Sequence, residues 1–498
     1  MNRERKLLFN TVSSLIFQLT TITCGFILPR LILRAFGSEV NGLVTSVGQF
    51  LAVISFLELG VGSVVQSSLY KPLAEKDTFR VDQIMTSAGK FFKNLARILL
   101  VYVLFLIIVY PYIANQNFGW FYTAALIGTI SISSFAQYYF GVVDRLLLSA
   151  DQHGYIQYTA QICTLIANTI ACAVLIHLGA TIHLVKLTTS LIYLIRPLIL
   201  RIYVQKHYSI NRKAVYTEEP IQQKWNGAAQ HIAAVVLDGT DSMVLTVFAS
   251  LSDVSIYSVY NLVVTGVKQL LVSMTGGIQS LMGEMLAKKE TQELHRLFGW
   301  TEWLLHTGTV FVFGCTAVLI VPFVRVYTNG IHDADYIQPC FAVLITLAQA
   351  GHCLRLPYNL LILAGGHYRQ TQQNYIVAAV LNIVVSVLTV KFYGLIGIAI
   401  GTLAAMAYQT VWMARYISKA IINWPFKRFL GQSGIDLITF IIAYLLSSRF
   451  TIENITYLGW VLLGIKVAVV WLMVILVANC IFKTNYVLKL AQLFGKKR

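Results

Sequence analysis

The sequence predicts an all-α polytopic membrane protein of about 14 transmembrane helices, arranged as two parallel six-helix lobes and a final helix pair. Three observations lead there. Of the 498 residues, 57% are hydrophobic and only 12% charged, with mean hydropathy +0.69; a soluble chain carries about 25% charged residues. The apolar residues fall into runs of roughly 18 to 25, long enough to cross a hydrocarbon layer of ~30 Å as helices. The outline of the first six runs also returns about 213 residues later, as internal duplication produces.

Taken in order, the N-terminal lobe (residues 1–210) holds helices near 9–33, 43–69, 94–114, 120–143, 156–178 and 182–203. The first two belong to the stretch 28–77, read as the end of one helix, a turn at Gly37, a returning helix and a charged landing. The opening MNRERKLLFNTVSSLIFQ has a basic start but no small-residue cleavage site, so it predicts an uncleaved first helix. A polar interlobe linker covers 211–226. The second lobe (227–418) follows, with helices near 227–249, 255–281, 299–323, 337–363, 375–393 and 395–417. Residues 419–498 carry a basic joint, helices near 435–448 and 457–482, and a basic tail patterned as a short surface helix.

Charge supports this topology. With the N-terminus in the cytoplasm, the outward loops hold only Arg34, Lys186, Arg325, Lys391 and Arg449 of the 38 Lys and Arg. That asymmetry is the positive-inside pattern, and it places both termini in the cytoplasm. It also accounts for the formal charge of +17 without nucleic acid. The seven cysteines are scattered with no CxxC, so neither a disulfide framework nor a metal site is expected, and no cofactor motif is present.

The repeat aligns RLILRAFGSEV (30–40) with SMVLTVFASLSDV (242–254) and LAEKD (73–77) with LAKKE (286–290). RLLLSADQHG (145–154) meets NLLILAGGHY (359–368), and Asn168 meets Asn382. Six helices is an even number, so the copies are parallel repeats related by an axis along the membrane normal, an arrangement that places a substrate site between them.

At these residues the chain resembles the multidrug/oligosaccharidyl-lipid/polysaccharide (MOP) exporter superfamily, and within it the Wzx-like polysaccharide-biosynthesis flippases. The segments that carry the likeness are NTVSSLIFQ, LPRLILRAFGSEVNGL, FLELGVGSVVQSSL and LDGTDSMVLTVFASLSDVSIYSVYN, with Asp241 and Tyr257–Ser258 matching a seventh-helix pattern of such transporters. The resemblance implies a MATE-like fold. It also implies translocation of an anionic lipid-linked oligosaccharide, carried on a polyprenyl diphosphate, across the plasma membrane. Implied partners are the bilayer and the glycosyltransferases and polysaccharide polymerase of the same assembly line, with the transporter acting as a monomer.

Ionisable groups at bilayer depth are the candidate site residues. Lys268 lies roughly 20 Å into its helix at ~1.5 Å per residue, near the midplane. Asp238 and Asp241, at i, i+3 on the preceding helix, either pair with it structurally or release it to bind a diphosphate. Arg30 and Arg34 share a helix face after Pro29. They either snorkel to the interface or turn toward a cavity at a Pro29 kink, with Glu58 as counter-charge. Arg355, two residues before Pro357, is an anion contact or a snorkelling side chain; Arg196 reads as snorkelling and Lys466 as a possible groove contact. Glu302 and His306, at i, i+4, are an ion-coupling pair or a satisfied contact.

Two rival functions remain. A MATE-type multidrug or cation antiporter shares the fold but exchanges ions through an acid, and no acid lies between Phe9 and Leu33. A membrane enzyme is disfavoured: the one DxD, Asp333–Asp335, lies in a short outward loop, and HExxH, GxSxG and phosphate-loop motifs are absent.

Overall fold

A computed structural model describes residues 3–114, 118–221, 228–273 and 275–495. The described residues are helical apart from short connections. Eleven helical stretches are long and apolar enough to cross a membrane by length and composition. The chain is a multi-pass membrane protein, since hydrocarbon admits only spans that satisfy their own backbone hydrogen bonds.

Helix α1 (Arg3–Ala52) contains both arms of the predicted hairpin. Its one non-helical residue is Gly37, at φ 82° and ψ 176°, a region open essentially to glycine alone. The bend thus falls at Gly37, whereas Pro29 lies within regular helix. α2 (Ser55–Glu75) continues the second pass after a turn at Val53–Ile54 that hydropathy does not mark. α3 (Thr78–Ile113) begins sixteen residues before the expected helix near 94. At ~1.5 Å per residue its 36 residues reach about 54 Å, well beyond the hydrocarbon. Hydropathy marks the lipid-crossing part of a helix, while Asp77, accepting from the Arg80 N–H at 2.9 Å, sets where the helix starts.

α4 (Trp120–Ala136) passes through a π-helical turn at Gln137–Gly141 into α5 (Val142–Ala150). α6 (Gly154–His177), α7 (Ile182–His207) and α8 (Ala228–Phe248) follow. α9 (Leu251–Ser273) and α10 (Gly276–Ala287) form one expected pass in two pieces. α11 (Thr291–Tyr327), α12 (Pro339–Ala364), α13 (Tyr368–Tyr393) and α14 (Leu395–Ala420) complete the second copy. The final pair is α15 (Phe426–Ser447) and α16 (Tyr457–Phe482), and the tail forms α17 (Thr484–Gly495). Joined across their breaks, these helices make 14 passes.

The duplication is written in the backbone. Left-handed residues close helices at Lys76 (φ 56°) and Lys289 (φ 58°), at Gln152 (φ 58°) and Gly366 (φ 70°), and at Gly179 (φ 75°) and Gly394 (φ 51°). Each pair is 213 to 215 residues apart, so turns recur in register even where side chains do not.

Packing divides the chain into two compact units, 1–255 and 256–498. In the first, α8 packs on α1 and α2, so this boundary falls later than the sequence-based division at 211–226. Asn41 donates to Ser255 Oγ at 2.8 Å, and Ser46 and Thr246 hydroxyls meet at 2.6 Å. The described part of the interlobe segment is fastened to α3 and α5. Arg212 pairs with the buried Asp144, Ser87 donates to Glu219, and Asp82 accepts from the Asn211 N–H at 3.0 Å. In the second unit, α15 and α16 dock on α11. Trp471 is fully buried there against Gly314, where an added Cβ would stand 2.0 Å from the ring, and its Nε1–H donates to Ser447 at 3.0 Å.

Replacing Gly37 by Ala forces a side chain into a glycine-only backbone region and should cost about 1–3 kcal/mol. Gly48→Ala, inside regular α1 with open space around it, should cost nothing. Thermal unfolding in detergent compares the two, and equal midpoints would remove Gly37 from its role at the bend.

Candidate functional site

The structure gathers two of the predicted cations within the second unit. Lys268 sits near the middle of the pass made by α9 and α10, and Arg355 on α12; they are 9% and 6% exposed. Both charges act electrostatically on His352 and Cys353, which stand three and two residues before Arg355 on α12. Arg355 Nη2 lies 2.9 Å from His352 Nδ1. A guanidinium only donates, so Nδ1 accepts and the imidazole there is neutral. His352 escaped the sequence reading, although its i, i+3 spacing to Arg355 on one helix face was the available signal. Together these side chains form a buried, cation-rich patch suited to phosphate or carboxylate oxygens, since Arg offers planar paired donors and Lys a compact charge.

Glu302 and His306 are also buried, at 5% and 0% exposure, and they belong to a larger network. Tyr358 donates to Glu302 Oε1 at 2.6 Å, with its hydroxyl 3.3 Å from His306 Nε2. His306 Nδ1 lies 2.6 Å from Asp436 Oδ2; Gln432 donates to Asp436 Oδ1 at 2.9 Å, and Trp424 Nε1–H to Glu302 Oε2 at 3.1 Å. The network joins α11 and α12 to α15 and to the segment before it. Tyr358, Trp424 and Asp436 were not singled out from sequence, because partners up to 130 residues apart leave no local spacing to read.

The other predicted residues stand apart from these clusters. Arg34 is exposed on α1, and Arg30 is half-buried and engaged in an interaction. Asp241 on α8 is buried, at 5% exposure. The side chains of Glu58 and Asp238 lie outside the described residues. Lys466 is exposed on α16 and pairs with Glu453 at 3.3 Å, which answers to a surface ion pair rather than a groove contact. Arg196 donates through Nε to Thr164 at 2.6 Å, a fixed interior position rather than a snorkelling one.

Tyr358→Phe leaves a buried carboxylate and imidazole without that hydroxyl and should lower stability by about 1–3 kcal/mol. Lys466→Gln, at an exposed pair, should change it by less than ~1 kcal/mol. Unfolding midpoints of the two variants decide; equal losses would contradict the network's role.

No protein-family model matches the sequence, and no curated protein sequence matches it. Solved structures do. The lipid II flippase MurJ in an inward closed conformation superposes with TM-score 0.67 at 14% identity, covering 93% of this chain and 98% of MurJ. An inward-facing multidrug resistance MATE transporter of the MOP superfamily gives TM-score 0.60 at 13% identity, over 81% of this chain and 94% of its own. The eukaryotic MATE transporter AtDTX14 gives 0.60 at 10% identity, over 88% of this chain and 99% of that one. The chain shares the fold of this flippase and these transporters.

Proposed function

We propose that the chain is a transporter that moves a polyprenyl-diphosphate-linked oligosaccharide from the cytoplasmic to the outer leaflet of the plasma membrane, by alternating access, during cell-surface polysaccharide biosynthesis. Both termini face the cytoplasm in this reading, as the distribution of Lys and Arg requires. The observation that carries it is the buried cluster of Lys268, His352 and Arg355. Cations at membrane depth are rare and mark substrate pathways, and phosphate oxygens match the donors of Lys and Arg. Arg30 and Arg34 are assigned as cationic substrate contacts of the first unit. Asp241, buried on α8, is assigned to ion coupling within the first unit. Glu302 and His306 are assigned to fastening the final helix pair, since their polar atoms are already engaged. Similarity to a lipid II flippase agrees with a lipid-linked substrate.

Similarity of comparable depth to MATE transporters keeps a cation antiporter of the same fold as the second reading. Lys268 and Arg355 support the first reading, since a cationic drug gains nothing from them, whereas the buried Asp241 is the residue that the second would use. Glycosyltransferases that build the oligosaccharide and a polymerase that consumes it are the partners this activity needs, and the transporter works as a monomer.

The test is reconstitution into liposomes with a fluorescent polyprenyl-diphosphate sugar, scoring its arrival on the opposite leaflet. Lys268→Gln removes one charge-assisted contact worth about 1.5–3 kcal/mol and should weaken apparent substrate affinity roughly 10- to 100-fold. Undiminished transport by that variant, or exchange of a cationic dye in place of the lipid, would overturn the proposal.

A further inference from the structure

The second unit carries an open pocket on the side that the charge pattern assigns to the cytoplasm, apart from Lys268 and Arg355. It measures about 430 Å³. Its lining includes His295, Arg296 and Trp300 of α11, Trp424 and Arg428 around the start of α15, and Tyr486 of α17. Among the described residues, that lining contains no Asp or Glu.

Aromatic contacts set the pocket's shape. Tyr486 stacks on Trp303, with ring centroids 5.3 Å apart and 12° between the planes, and meets Trp300 edge-on at 5.4 Å. Gly299 makes room for this approach. An added Cβ there would lie 2.9 Å from the Tyr486 hydroxyl and 3.1 Å from the Trp424 ring. Trp424 in turn meets Phe298 edge-on at 5.1 Å. The start of α17 is thereby held against α11, although only Lys483 separates α17 from α16.

Both arginines of the pocket are exposed, as a site on a membrane surface requires, and neither is committed to a strong partner. Arg428 lies 4.6 Å over the Trp424 ring. That cation–π contact steadies the side chain without consuming the hydrogen bonds that its N–H groups can give an oxyanion. Arg296 pairs with Glu293 at 3.8 Å. An exposed pair of this kind contributes little, so a phosphate can replace the carboxylate at small cost.

The surroundings indicate a lipid rather than a soluble anion. Leu430 stands two residues beyond Arg428 on α15, and Ile481 and Phe482 end α16 just before α17; all three are large, apolar and exposed. Trp and Tyr concentrate where hydrocarbon meets water, and Trp300, Trp303, Trp424 and Tyr486 gather at this level. A headgroup seated here leaves its acyl chains beside apolar surface. Between Arg415 and Ile435, and again between Asn454 and Arg498, the sequence has no Asp or Glu. Both segments that join α11 in forming the pocket are therefore basic, which complements an anionic leaflet. The volume falls within the roughly 300–1,000 Å³ typical of small-molecule sites.

We propose that this pocket binds the phosphate headgroup of an anionic phospholipid from the surrounding leaflet, with the first turn of α17 as one wall. The site stands whether the transported molecule is a lipid-linked sugar or a cationic drug.

The experiment places the full-length protein in phosphatidylcholine nanodiscs with and without phosphatidylglycerol and scores retained phosphatidylglycerol by native mass spectrometry. Thermal shift in detergent then compares the same lipid with inorganic phosphate. Wild type should retain phosphatidylglycerol and be stabilised by it, and inorganic phosphate should give no comparable shift. The double variant Arg296→Gln, Arg428→Gln should weaken apparent affinity for the lipid at least tenfold. Tyr486→Ala, which leaves every charge in place but removes a wall, should also weaken it, and this variant decides if the double variant fails to fold. Lys466→Gln, an exposed cation elsewhere on α16, should retain the lipid as wild type does. The proposal is overturned if the pocket variants retain phosphatidylglycerol undiminished or if Lys466→Gln loses it equally. Equal stabilisation by inorganic phosphate would assign a soluble anion and overturn it too.

Discussion

Hydrocarbon supplies no hydrogen-bond partners, and that single constraint organises the molecule. Each pass satisfies its backbone as a helix, and departures from regular helix fall where another group can compensate. The bend in α1 sits at Gly37, where no side chain obstructs it. The wide turn after α4 opens onto a polar cavity rather than lipid. Buried carboxylates obey the same demand: Glu302 and Asp436 each accept from two partners or meet a histidine. Beside these the described interior holds Lys268 and Arg355 in the second unit and Asp144 and Asp241 in the first.

Duplication explains how so long a chain keeps one plan with so little repeated sequence. What is preserved between the copies is where helices stop. Left-handed residues close them at Lys76 and Lys289, at Gln152 and Gly366, and at Gly179 and Gly394. A left-handed residue ends a helix whatever its side chain, as the pairing of Gln152 with Gly366 makes plain. Side chains between these stops are then free to diverge, and they have. Arg145 lines a cavity, whereas its counterpart in the aligned motif is Asn359, which accepts a hydrogen bond from Tyr375.

Helix spans were legible in the sequence because hydropathy over about 20 residues reports the thickness of hydrocarbon directly. The same measure misplaced helix starts, as at Thr78, because a helix continues beyond lipid until a cap or turn ends it. Lys268 and Arg355 stood out as charges inside apolar runs, and the fold brings them to one patch. Arg145 did not stand out, since it lies near the end of its helix beside Asp144, and the cavity wall that it shares with Arg196 spans 51 residues of chain. The Glu302–His306 spacing was visible, but its meaning depended on Tyr358 and Asp436, which reach it only through tertiary packing. Local spacing reveals a pair on one helix; it is silent about a network across three.

Fold alone does not separate a flippase from a drug antiporter, because both kinds of transporter share this architecture. The two readings differ in the charge that each substrate asks of the interior. A buried carboxylate attracts a cation or a proton, and it remains useful only while an exchangeable partner can reach it. Here Glu302 and Asp436 are saturated by neutral donors and an imidazole, which leaves them little to offer a passing cation. Lys268 and Arg355 differ in kind, because they can only donate. Neutral acceptors already take hydrogen bonds from two arginines, Thr164 from Arg196 and His352 from Arg355, and among anions phosphate offers more acceptor oxygens than a single carboxylate. The proposal of a phosphate-bearing substrate rests on the sign and donor chemistry of Lys268 and Arg355 in the second unit.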